Sequence, residues 1–137
     1  MIKQILFSGP ELPLMQSMGV LLMRLTFGGL MLSMHGWQKI LNFSDRADSF
    51  PDPLGIGNSA SMGLAVMAEF ICSALVAVGF MTRIMVFPLI ITMAVAFFII
   101  HGDDPFQKKE LAAVYGIAFI AIALIGPGKF SIDRQLQ

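Results

Sequence analysis

The chain has 137 residues, 56% of them hydrophobic and 13% charged, with a mean hydropathy of +0.78. Soluble domains carry about 25% charged residues, so the composition excludes an ordinary soluble domain and points to a single-domain integral membrane protein. Nine Lys and Arg balance nine Asp and Glu, which leaves no basic footprint for nucleic acid.

Residues 1–14 hold Lys3, Pro10, Glu11 and Pro13 and read as an irregular or interfacial lead-in. A cleaved signal peptide is not expected. The apolar run that follows carries Arg24 at its centre and lacks a small-x-small cleavage pattern. That run, about 15–35, is the first predicted span. Arg24, Gly28, Met31 and His35 fall at helical spacing on one face, which Lys39 extends if the helix continues. Gly28 and Gly29 permit close approach of a neighbouring helix. Residues 36–60 are expected to be an extramembrane loop, with Trp37 at headgroup level and the turn-rich FPDPLGIG at 50–57. A loop this long is uncommon without a role, and this one is expected to fold over the mouth of the bundle.

The second span is predicted at 61–80. Ser61, Ala65, Glu69 and Ser73 form a small-and-polar stripe at spacing four, suited to a tight seam. Gly79 and the short link at 81–83 turn the chain into a third span at 84–100, with Pro88 near its start and His101 at its end. The polar GDDPFQKKE leads to a fourth span at 111–125, which the GPG at 126–128 stops. Residues 126–137 then form a polar tail. The fold class expected is all-α, a four-helix transmembrane bundle. Basic residues tie between its two faces, so the positive-inside rule gives only a lean towards cytoplasmic termini.

Ionisable side chains inside a membrane are costly and point to function. Glu69 and Arg24 are expected to lie at similar depth and pair, a depth counted from a first span that ends at His35. Two readings stand for that pair: a buried bridge that fixes helix register, or the polar wall of a pocket for a quinone headgroup or small anion. His35 and His101, with Lys39 and Glu110, are placed above it at the loop-side mouth. There the imidazoles are either interfacial side chains or proton carriers and partners of a quinone carbonyl. Haem is not expected, because both histidines sit at span ends without a repeat of the pattern. No metal site is expected either, since neither histidine stands at ligand spacing. Cys72 is a lone packing residue within a span, and no phosphate-binding or nucleophile motif occurs.

Taken together, Arg24, the HGWQK run from His35 to Lys39, Glu69 with Gly79 and Thr82-Arg83, Glu110, and the terminal GPGKFSID from Gly126 to Asp133 resemble the DoxX family over about residues 21–133. The resemblance implies a four-helix transmembrane fold. Some members of the family are small subunits of a thiosulfate:quinone oxidoreductase, and others are linked to oxidative stress or thiol handling. It matches Arg24, His35, Lys39, Glu69, Arg83 and Glu110 to the family's polar pattern, and Gly126, Pro127, Gly128, Ser131 and Asp133 to its end signature. The missing cysteine pair argues against thiol chemistry by this chain alone. The leading expectation is a bacterial inner-membrane accessory subunit of a redox system, associated with quinone rather than a stand-alone enzyme. Its expected partners are the lipid bilayer, redox subunits and a second copy of itself. A small-anion or sulfur-compound transporter and a structural membrane partner are the alternatives.

Overall fold

The computed structural model describes residues 11–137, so most of the expected lead-in, residues 1–10, lies outside the described residues. The described chain is helical, without strands. Among the described residues, three helices are long and apolar enough to cross a membrane: α1 (Leu14–Leu41), α2 (Asn58–Val78) and α3 (Thr82–Ile100). The fourth, α4 (Phe106–Ile125), carries Lys108, Lys109 and Glu110 in its first turns and is apolar from Leu111 onward. It packs along the length of α3.

The main departure from the predicted boundaries is in α1. Nothing at 36–41 breaks the helix, so the HGWQK run is helical and the connection starts only after Leu41. Gly36 lets this extension lie directly on α2: a Cβ there would overlap the backbone carbonyl of Glu69. Trp37 stacks on Phe70 with ring centroids 6.0 Å apart, which adds apolar burial to the same seam. Further down, a Cβ on Gly28 would come within 3.0 Å of the Ser73 carbonyl oxygen. The two helices thus touch backbone to backbone over several turns.

The connection at 42–57 is shorter and more ordered than expected. One-turn helices at Phe43–Arg46 and Ala47–Ser49 lead to a turn organised by Asp52. Its carboxylate accepts hydrogen bonds from the backbone N–H of Ile56 and Gly57 and from the Ser61 hydroxyl, at 3.0, 2.8 and 2.7 Å. The Ser61 bond, more than the others, holds the Asp52 carboxyl below the usual carboxylate range. The segment around Phe50 and Leu54 is thereby pinned beside the start of α2.

The molecule is two antiparallel hairpins, α1–α2 and α3–α4. They pack together at the end that carries the C-terminus, where residues 67–78 of α2 lie on α3 and residues 14–28 of α1 approach α4. A core of Met31, Cys72, Val76, Val86, Leu89, Phe119 and Ile122 fills the join. Cys72 is a packing residue there. Towards the opposite end the hairpins diverge: residues 58–66 of α2 pack mainly on 37–41 and 47–49 rather than on α3.

The polar tail predicted at 126–137 is instead folded back into the joined end. Asp133 is 1% exposed, and its carboxylate accepts from the backbone N–H groups of Met81 and Thr82 at 2.6 and 2.9 Å. It therefore caps α3 from a distant part of the chain, where helix dipole and unpaired donors both favour a negative charge. The Asp133 N–H in turn donates to the Gly79 carbonyl at 2.9 Å. Gly79 has φ +77, and any Cβ on it would strike the Arg24 guanidinium, so the α2–α3 turn requires glycine there. Arg24 completes the lock by donating to the Phe130 carbonyl at 2.5 Å. Asp133→Ala should lower stability by about 2 kcal/mol, the scale of a lost cap and of charged hydrogen bonds. A lower melting midpoint in detergent and earlier proteolysis of the tail would be the signs; an unchanged midpoint would refute the capping role.

Candidate functional site

Between the diverging ends lies a cavity of about 380 Å³. All four helices line it. From α1 come Met31, His35 and Lys39; from α2, Leu64, Ala65 and Glu69; from α3, Ile91, Met93, Val95 and Ile100, with His101 just past its end; from α4, Lys108, Leu111 and Tyr115. Phe50 and Leu54 of the pinned connection close over one side. Such a volume is within the range that holds a small organic ligand.

The polar groups gather on the α1–α2 wall. Lys39 Nζ and Glu69 Oε2 are 2.5 Å apart, with the two side chains 23% and 7% exposed. His35, one turn below Lys39, meets Tyr115 edge-on with ring centroids 5.6 Å apart, and this contact bridges α1 to α4. Tyr115 also stacks on Phe119 and touches Phe27, which fixes its ring. At the mouth, His101 Nδ1 lies 2.8 Å from Asp104 Oδ2. That bond, with Lys108 nearby, holds the Asp104 carboxyl below the ordinary carboxylate range. It orients the His101 ring and leaves its Nε2 without a role in the pair.

The expected Arg24–Glu69 pair is not formed. The depth estimate assumed that α1 ends at His35, whereas it runs on to Leu41. The extension places Gly36 beside Glu69, so Lys39 becomes the partner of Glu69. Arg24 lies twelve residues before Gly36, about 18 Å lower along the helix, where it holds the Phe130 carbonyl with Asp133 as the neighbouring negative charge. Glu110 also departs from expectation: it is exposed and does not line the cavity. Lys108, two residues earlier, takes its place at the mouth. Of the six residues picked out by sequence, His35, Lys39, Glu69 and His101 line one cavity, and Arg24 and Glu110 do not.

Sequence reasoning missed Tyr115 and Asp104. Tyr115 is the chain's single tyrosine, set in a small-residue span, and that isolation was its only signal. The helices share another feature that periodicity at 3.6 residues conceals. Arg24, His35 and Glu69 each fall in a wide π-helical stretch, at Arg24–Gly28, Met31–Gly36 and Met67–Cys72. Such stretches shift the facing of a side chain and recur at functional sites. Among the described residues no group of three or more His, Cys, Asp or Glu could hold a metal.

A buried pair of opposite charges costs more to break than to keep. Lys39→Met alone should therefore destabilise the protein, by about 3 kcal/mol if Glu69 stays ionised. Adding Glu69→Gln to it should restore most of that loss. Unfolding midpoints of the two single variants and the double variant measure the coupling, and purely additive effects would contradict the pair.

Residues 19–102 match the model of the DoxX family. They span α1 to α3 and include His35, Lys39, Glu69 and His101. The uncharacterized membrane protein Rv3486 of Mycobacterium tuberculosis is 28% identical over 143 residues, covering 86% of this chain and 81% of its own. No solved structure matches the chain.

Proposed function

The chain belongs to the DoxX family of membrane proteins, and from that premise we propose that it binds a quinone headgroup as an accessory subunit of a membrane redox system. The observation that carries this reading is the make-up of the cavity: apolar walls from four helices around one polar corner, Lys39–Glu69 with His35. A quinone ring needs a flat apolar slot and a donor at a carbonyl oxygen. Lys39 supplies N–H donors, and the His35 imidazole supplies one on the same wall.

Charge balance favours a neutral headgroup over an anion. Glu69 already neutralises Lys39 at 2.5 Å, and Arg24 is engaged at the opposite end. A small-anion transporter would have to draw on Lys108, which is at the exposed mouth and 3.7 Å from Asp104. Reduction of a quinone to the quinol takes up two electrons and two protons. In this reading the electrons come from a partner subunit that carries a redox centre. This chain holds the ring and supplies a proton path, with His101 and Asp104 at the mouth and Glu69 beside the carbonyl. The protein would sit in the bacterial inner membrane with its termini in the cytoplasm.

Protein purified in mild detergent should carry quinone, detected by mass spectrometry of its lipid extract. Lys39→Ala should cut retention about tenfold, as expected for loss of a charged donor, while Glu110→Gln should leave it unchanged. Wild-type extracts no richer in quinone than those of an unrelated membrane protein would overturn the proposal.

A further inference from the structure

We infer that the cavity has a side door to the lipid, between residues 58–66 of α2 and the 91–100 half of α3, through which the hydrocarbon chain of an amphiphilic ligand leaves the site. The inference builds on the quinone reading and specifies its ligand: a quinone with a long apolar tail, reaching the site from the bilayer rather than from water.

Two gaps arise where the hairpins diverge, and they differ. The α1–α4 gap is shut by His35 against Tyr115, itself only 5% exposed, with Met31 fully buried beneath the contact. The α2–α3 gap has no such closure. Leu64 on one side and Ile91 on the other both line the cavity, yet they are 47% and 61% exposed. A residue that faces both a cavity and the outside marks an opening, as Leu111, 53% exposed, and Lys108 also do at the loop-side mouth above the His35–Tyr115 contact. Leu64 and Ile91 both belong to helices of membrane length, and Ile91 is at the midpoint of α3. The surface outside the opening is therefore hydrocarbon, not water.

Polarity along the cavity fits the same occupant. The Lys39–Glu69 pair and His35 stand on the inner wall, and the rim beside the gap is Leu64, Ile91 and Val95. A ring held at the pair would send its substituent outward across an apolar sill towards the bilayer centre. A water-soluble anion gains nothing from that sill, whereas each buried CH₂ of a chain contributes about 0.8 kcal/mol. The second opening, past Lys108 and Leu111, faces the polar loop side beside the His101–Asp104 pair, where proton exchange would take place in the quinone reading.

The test uses the full chain in phospholipid nanodiscs with two photoreactive probes, an isoprenoid quinone with a diazirine in its tail and a plain long-chain alcohol with the same group. Met93 lines the cavity but is only 7% exposed, and Ile117 on α4 is 69% exposed to the surroundings. Both probes should label Met93 as well as Ile117. Ile91→Trp, which plugs the door, should abolish Met93 labelling, and Ile117→Trp should not. Labelling confined to Ile117, or Met93 labelling indifferent to the plug, would overturn the side door. Whether the quinone reading holds is read separately: tailed quinone should suppress Met93 labelling by the alcohol in wild type and fail to do so in Lys39→Ala. A side door without that suppression would leave the opening standing and remove the quinone.

Discussion

One end of this bundle is locked by the C-terminal segment, and the rest of the structure depends on that lock. Asp133 caps α3, its own N–H returns to Gly79, and Arg24 ties the Phe130 carbonyl to α1. Three elements that sequence separates are thereby fixed at a single point. Burying such charges is costly in a membrane; for Asp133 the cost is offset by hydrogen bonds from otherwise orphaned backbone N–H groups of the α2–α3 turn, and for Arg24 by the Phe130 carbonyl and the neighbouring Asp133 charge. With that end closed, the two hairpins can part at the other without the bundle losing its register. The cavity is a consequence of the asymmetry.

At the opposite end the tight seam lies within one hairpin and not between the two. Within α1–α2 the seam is backbone on backbone, through Gly28 and Gly36. Close approach of this kind is how membrane helices gain packing where lipid offers no hydrophobic drive. Between α2 and α3 no such seam forms on the loop side: Leu64, Ile91 and Val95 line the cavity there, together with the smaller Ser61, Ala65 and Ala96. The pinned turn at Asp52 then draws the start of α2 towards the α1 side. The space left over is mostly apolar, with its buried ion pair on the α1–α2 wall.

The legible part of this protein was its helical membrane character and the set of polar residues within it. An apolar run leaves a periodic signal that survives without tertiary information, and an intramembrane Glu, Arg or His stands out against it. Partner assignment was not legible. Pairing Glu69 with Arg24 rested on counting residues from a helix end, and Trp37 to Leu41 carry no breaker that would have located that end. An error of one and a half turns moved Arg24 out of reach and brought Lys39 in. The tail was illegible for a different reason. Asp133 acts on the N-terminus of α3 from 51 residues away, and a polar tail looks alike in sequence whether it is solvated or folded back. Only the family likeness had singled it out.

The two buried acids of the molecule solve one problem in two ways, and the difference separates architecture from chemistry. Asp133 is satisfied by backbone donors that have no other partner, so its charge is spent on the fold and no ligand could compete for it. Glu69 is satisfied by a lysine whose Nζ has further N–H groups to offer, on a wall that opens into a cavity. A backbone-capped carboxylate is rigid; a side-chain pair with unused donors can rearrange around a third group. Lys39 can turn a further N–H to a third group in the cavity while keeping Glu69. Net neutrality lets the pair stay in the membrane when the cavity is empty. That combination, a polar group stable without ligand yet able to reorganise for one, is what sets this end of the bundle apart from the locked one.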